Sequence, residues 1–107
     1  MLFMVIERFR NRDPKPIYRR LGESGRMMPA GLRFIDSWVE PGFERCFQLM
    51  ETEDARLLQQ WVAAWTDLME FEILPVVRSA DTRADVERLL EQGPGLPAGA
   101  EDNPRNR

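Results

Sequence analysis

Glu7 is the residue of this chain best suited to acid or base chemistry. Phe3, Val5 and Phe9 occupy the alternate positions around it in an apolar N-terminal run, so strand alternation puts its carboxyl group among apolar side chains. Such surroundings raise a carboxyl pKa and suit the group to general acid or base catalysis. The alternative is that Arg33 or another arginine neutralises Glu7 in an ion pair.

Cys46 is the only cysteine, and the chain contains no histidine. A nucleophilic thiol needs a base or a positive neighbour, so only an arginine could activate it; the alternative is a buried cysteine that packs as a small apolar residue. The same composition argues against a zinc or haem site. We therefore expect no metal and no cofactor. A lone cysteine also suits a reducing compartment, which predicts a cytoplasmic protein.

Residues 32–50 predict a β-hairpin about the turn signal Glu40-Pro41-Gly42. Alternation separates its side chains into two faces. The first, expected to be core, carries Phe34, Asp36, Trp38, Arg45, Phe47 and Leu49. The second mixes apolar and polar groups, as a ligand cavity or a subunit interface does; it carries Arg33, Ile35, Ser37, Val39, Glu44, Cys46, Gln48 and Met50. The predicted ligand-binding residues are Glu7, Arg33, Ser37, Cys46 and Gln48.

Three tryptophans, Trp38, Trp61 and Trp65, could stack on a flat or cationic ligand. The alternative for Trp61 and Trp65 is core packing, because they lie four residues apart on the apolar stripe of a predicted helix.

The order of predicted elements is strand, helix, strand, strand, helix, strand. The first strand covers residues 2–9, and Asp13-Pro14 begins a helix that is expected to reach Met28. After the hairpin, Thr52 is expected to cap a second helix that runs through Leu68. A last strand covers residues 70–78, and Pro75 places it at a sheet edge. This order predicts an α+β, ferredoxin-like fold, with a four-stranded antiparallel sheet and two main helices on one face.

The chain has 107 residues and a net charge of −3. We expect one domain over residues 1–91, including a short helix that carries Val86, Leu89 and Leu90, and a flexible tail rich in glycine and proline over residues 92–107. The acidic charge argues against nucleic-acid binding, and no apolar run is long enough to span a membrane.

The sheet face opposite the helices needs cover. On this prediction it carries Phe3, Val5, Ile35, Val39 and Met50, which is too much apolar surface to leave in water. A symmetric homodimer is the expected solution.

Three strings resemble a family of short bacterial proteins described as domain of unknown function 3303. They are Met-Leu-Phe-Met-Val-Ile-Glu-Arg-Phe at residues 1–9, Gly31-Leu32-Arg33-Phe34 leading to Asp36-Ser37-Trp38-Val39, and residues 45–51. The resemblance implies a dimeric α+β barrel, a group that binds small molecules between sheet and helices. That group includes cofactor-independent monooxygenases, haem-degrading enzymes and small isomerases. Its haem-handling members supply a histidine from the second helix, which this chain lacks.

Three functions therefore remain open. The first is binding of a small organic molecule. The second is a cofactor-independent monooxygenase or isomerase in which Glu7 is the base and Arg33 or Gln48 stabilises an oxyanion. The third is a purely structural or regulatory dimer.

Overall fold

A computed structural model describes residues 1–93. The chain divides into two compact units, with a boundary between Val76 and Val77. The first unit contains the sheet and two helices, and the described part of the second is the helix Ser79–Glu91. The single domain over residues 1–91 stays a prediction. The predicted flexible tail lies, from residue 94 onward, outside the described residues.

The first unit contains four strands in one antiparallel sheet. The strands are β1 (Leu2–Phe9), β2 (Arg33–Val39), β3 (Arg45–Glu51) and β4 (Met69–Val76). They lie in the order β2-β3-β1-β4, with β1 antiparallel to both β3 and β4. This arrangement confirms the predicted α+β fold and is consistent with ferredoxin-like topology. Pro75 lies in β4, at the sheet edge, as its missing N–H predicts.

Helix α1 (Lys15–Ser24) connects β1 to β2. Its predicted extension to Met28 was wrong, because the chain leaves the helix at Gly25, where φ is 67° and ψ is −162°. Only glycine adopts such a conformation readily.

Helix α2 (Arg56–Ala63) is shorter than predicted at both ends. Thr52 and Asp54 form successive turns before it, since Thr52 Oγ1 accepts a hydrogen bond from Asp54 N at 3.1 Å and Asp54 Oδ1 accepts one from Arg56 N at 3.0 Å. Single turns continue to Leu68 beyond the helix end. The apolar stripe therefore extends over more residues than the regular helix.

The helices cover the face of the sheet that we expected to be open. On β3 the buried residues are Cys46, Gln48 and Met50, while Phe47 and Leu49 are half-buried. The assignment of the first hairpin face to the core was therefore wrong. Both faces of β3 carry apolar side chains, so alternation separated the faces correctly but could not decide which of them the helices cover.

A β-bulge at Ile35 changes the alternation of β2. Phe34 pairs with Met50 and Asp36 pairs with Leu49, so β2 has one extra residue between these pairs. Phe34 consequently shares the helix-covered face with Ser37 and Val39. Arg33 pairs with Glu51 on the other face, contrary to the prediction that it lies with Ser37.

The core lies between this sheet face and the two helices. Its buried residues are Phe3, Val5, Phe9, Ile17, Leu32, Cys46, Met50, Leu58, Trp61, Trp65 and Met69. Phe3, Val5 and Met50 are thus core residues and do not belong to an exposed dimer face as predicted. Burial of Trp61 and Trp65, at 2% and 3% exposure, supports the core-packing alternative for both.

In the second unit, the predicted short helix is confirmed as α3 (Ser79–Glu91). None of its residues is buried, and Val86, Leu89 and Leu90 are all at least 47% exposed.

Candidate functional site

A cavity of about 80 Å³ lies between the sheet and the two helices of the first unit. We call it the Glu7 cavity. It is lined by Glu7, Phe9, Ile17, Tyr18, Leu21, Arg26, Ser37, Val39, Cys46, Gln48, Trp61, Trp65 and Met69.

Sheet register brings its polar residues together. Glu7 on β1 lies opposite Cys46 on β3, and Gln48, two residues further along β3, lies opposite Ser37 on β2. Side chains two residues apart on a strand share a face, and diagonal neighbours on adjacent strands remain within reach of each other. Four predicted site residues therefore line one cavity.

Arg33, the fifth predicted site residue, lies elsewhere. It is exposed and forms a surface ion pair with Glu51. The alternative in which Arg33 neutralises Glu7 was therefore wrong, and the bulge at Ile35 explains the difference.

Glu7 is 2% exposed and has no ion-pair partner among the described residues. Burial raises its pKa from the ordinary 4.5 to about 7, against the opposing effects of hydrogen bonds from Gln48 and Cys46 and of the Arg26 charge. Desolvation disfavours the charged form of a carboxyl group. Glu7 therefore changes protonation near neutral pH.

Cys46 is 7% exposed. Burial, followed by the charge of Glu7, raises the pKa of its thiol to about 12. The thiol stays protonated at neutral pH, so Cys46 is not an activated nucleophile.

The two polar atoms of the Gln48 side-chain amide differ in their hydrogen bonding. Its Nε2 donates a hydrogen bond to Glu7 Oε1. Its Oε1 is buried and accepts no hydrogen bond from any residue that the structure describes. An unsatisfied buried polar atom costs about 1–3 kcal/mol, and native structures contain few of them.

Sequence reasoning missed Arg26, which lies between α1 and β2. Its backbone oxygen accepts hydrogen bonds from both indole groups, at 2.9 Å from Trp61 Nε1 and 3.1 Å from Trp65 Nε1. Its guanidinium carbon lies 3.7 Å from the centre of the Phe34 ring, a cation–π contact. Gly25, a helix-ending signal directly before Arg26, could have indicated a loop residue here.

Buried residues form the base of the cavity and more accessible ones its mouth. Glu7, Cys46, Gln48, Trp61 and Trp65 are all at most 9% exposed, whereas Tyr18 is 49% and Val39 is 38% exposed. A ligand could therefore place a polar head group at the base and an apolar part at the mouth.

Within residues 1–93, no group of three or more Cys, Asp or Glu side chains is placed to hold a metal ion. No helix in that part of the chain has the length and apolarity needed to cross a bilayer.

Comparison with known proteins identifies a family. No curated protein and no solved structure matches the chain. The sequence model described as Domain of unknown function (DUF3303) matches residues 1–90. Because this match covers most of the 107 residues, the chain belongs to the DUF3303 family.

Proposed function

We propose that this domain binds a small organic molecule in the Glu7 cavity. The observation that carries the proposal is Gln48 Oε1, which has no hydrogen-bond partner within residues 1–93 and lines the same cavity as Glu7, a buried carboxyl group without an ion-pair partner there. Polar atoms left without partners beside a cavity are well suited to a ligand that supplies the missing hydrogen bonds. Glu7, Ser37, Cys46 and Gln48 are the proposed ligand-binding residues.

Catalysis of a cofactor-independent oxygenation or isomerisation, with Glu7 as base, is the second candidate. A carboxyl pKa of about 7 favours it. The reaction also needs a donor to stabilise an oxyanion. Neither donor predicted for that role is available, because Gln48 Nε2 already donates to Glu7 and Arg33 lies on the other face, so we favour binding over catalysis.

We further propose that the domain is a cytoplasmic homodimer that associates through the sheet face away from α1 and α2. This face differs from the predicted interface, because Phe3, Val5 and Met50 of the predicted interface are core residues. In the first unit, the apolar side chains of this face are Leu2, Met4, Ile6, Trp38, Phe47, Leu49, Leu74 and Val76. Trp38 is 52% and Leu74 42% exposed. A second copy would remove this surface from water. The polar cavity argues against the purely structural dimer.

A fragment screen monitored by thermal shift and amide NMR tests the binding proposal. Ser37→Phe adds a ring to the cavity lining, opposite Gln48, and should abolish binding of any hit. Asp36→Phe is the matched control, because this substitution adds the same ring at the neighbouring position, on the other face of β2. Ligand binding stabilises the native state by mass action. A hit that binds both variants equally well would lie outside the Glu7 cavity and contradict the proposal.

A further inference from the structure

We propose that the ligand of the Glu7 cavity is a small primary amine, bound as its ammonium ion between the Glu7 carboxylate and Gln48 Oε1. This inference rests on the proposed binding function and specifies the chemical class of its ligand. It follows from the hydrogen-bonding groups and the charge of the cavity.

The donors at the cavity base are already used. Gln48 Nε2 and the Cys46 thiol both direct hydrogen bonds at Glu7. The indole N–H groups of Trp61 and Trp65 both donate to the Arg26 backbone oxygen. Among the buried side-chain atoms of the cavity, the one left without a partner is an acceptor, Gln48 Oε1, whereas the Ser37 hydroxyl and the Arg26 guanidinium are donors at less buried positions. A complementary head group must therefore donate hydrogen bonds.

Charge favours an ammonium ion over a neutral donor. The Glu7 carboxylate is buried, and among the described residues no cationic side chain makes a hydrogen bond to it. An ammonium ion would supply that partner. It carries three N–H donors, enough for both Glu7 and Gln48 Oε1. Hydrogen bonds between ionised partners are roughly twice as strong as those between neutral ones. The aromatic residues that line the cavity add cation–π attraction.

The cavity volume limits the buried part of the ligand. About 80 Å³ leaves room for a few water-sized groups. An aminomethyl group fits this space, and the rest of the molecule would extend past Tyr18 and Val39 at the mouth. A primary amine is accordingly a better match than a secondary or tertiary one.

Arg26 is the opposing charge, and it faces the cavity from the loop after α1. Its effect on Glu7 is the weakest of the three that stabilise the carboxylate. The other titratable groups that line the cavity are Tyr18 from α1 and Cys46 from β3. Helix α2, the turns after it and β4 contribute Trp61, Trp65 and Met69, respectively, and none of these three carries a charge. Arg26 therefore modulates the charge at the base without cancelling it.

A matched series of probes tests the inference: benzylamine, benzyl alcohol and benzoate, which share a ring and differ in the head group. Binding is measured by calorimetry and by NMR shifts at Gln48 and Ser37, between about pH 5 and pH 8. Since Glu7 must be ionised, benzylamine affinity should rise roughly tenfold per pH unit up to about 7 and then level off. Benzyl alcohol affinity should be weak and nearly constant, and benzoate affinity should fall as the pH rises.

Two variants sharpen the test. Glu7→Gln removes the carboxylate and should lower benzylamine affinity at pH 8 by at least tenfold. Arg26→Gln removes the opposing charge but keeps the backbone oxygen that holds the tryptophans, so it should tighten benzylamine binding and weaken benzoate binding. This second variant tests the charge argument independently of any effect of Glu7→Gln on folding.

The results separate the two proposals. If benzyl alcohol or benzoate binds in the cavity at least as tightly as benzylamine, or if benzylamine affinity does not depend on pH, the amine class is wrong while the binding function stands. If neither these probes nor any hit of the fragment screen binds in the cavity, both proposals fail.

Discussion

Glu7 shows how strongly a single position depends on its surroundings. The same residue type is exposed at Glu70 and Glu72 on the neighbouring strand, yet at Glu7 burial raises the pKa to about 7. A charged carboxylate there opposes folding, because it loses hydration and the nearby Arg26 charge offsets that loss only in part. Natural proteins retain such destabilising groups most often at functional sites.

Glu7→Gln should therefore stabilise the protein at alkaline pH. The folded-state pKa of about 7 lies above the ordinary value of 4.5, so the wild-type loses stability as the pH rises through this window and no further above it. At pH 8 we expect the free energy of unfolding of the variant to exceed that of the wild-type by about 1–3 kcal/mol. At pH 4 the two should be nearly equal. Urea unfolding across this pH range measures the difference.

Glu23→Gln, an exposed substitution on α1, is the control and should change the free energy of unfolding by about 0.5 kcal/mol or less. If Glu7→Gln instead destabilised the protein at pH 8, Glu7 would have a cationic partner. In that case its role would be structural.

At the scale of elements, the end of α1 decides where Arg26 lies. Gly25 ends the helix in a conformation that only glycine tolerates. The chain then turns so that the Arg26 oxygen meets both indole groups. One glycine thus couples the end of a helix to the base of the cavity.

Alanine substitutions at two glycines of this region should change the free energy of unfolding in opposite directions. Gly25→Ala should destabilise the protein by about 1–3 kcal/mol, because φ is 67° there. Gly22→Ala lies within α1, and nothing stands within 4 Å of the added Cβ. It should stabilise by about 0.5–1 kcal/mol through helix propensity. Chemical unfolding of both variants measures the difference. Equal effects would mean that α1 does not end at Ser24.

At the scale of the whole molecule, the sheet has two apolar faces in the first unit. The helices cover one of them, around Val5 and Met50. The other carries the half-buried Ile6, Phe47 and Leu49. A single layer of helices cannot cover both faces, which is the physical basis of the proposed dimer.

Leu49→Lys should convert the proposed dimer to a monomer. The substitution places a charge at the centre of the proposed interface, where an unpaired buried charge costs several kcal/mol. Light scattering at micromolar concentration measures the molar mass. Gln59→Lys, which adds the same charge to an exposed position on α2, should remain dimeric. A wild-type protein that is monomeric under these conditions would contradict the proposed dimer.

Deletion of residues 93–107 should leave the stability nearly unchanged. That segment contains three glycines, three prolines and one large apolar residue, Leu96, so it offers little surface for core packing. We expect the melting temperature to change by less than about 4 °C, which corresponds to roughly 1 kcal/mol for a domain of this size. A larger decrease, measured by calorimetry, would place part of the tail in the folded structure.

The sequence by itself determined the local features. Alternation in β1 placed Glu7 among Phe3, Val5 and Phe9, because side-chain direction in a strand depends only on position. Pro75 placed β4 at an edge because its nitrogen cannot donate. The order of elements predicted the fold, and four of the five predicted site residues line one cavity.

Only the tertiary structure decided the rest. Which sheet face the helices cover depends on packing between distant elements, and both faces of β3 are apolar enough to permit either choice. The bulge at Ile35 moved Arg33 away from the cavity, since one extra residue reverses alternation. Arg26, and not Arg33, lines the cavity, because the chain turns at Gly25 after the end of α1. The unsatisfied Gln48 Oε1 also emerged only from the packed structure, because a missing hydrogen bond is a property of all the surrounding atoms.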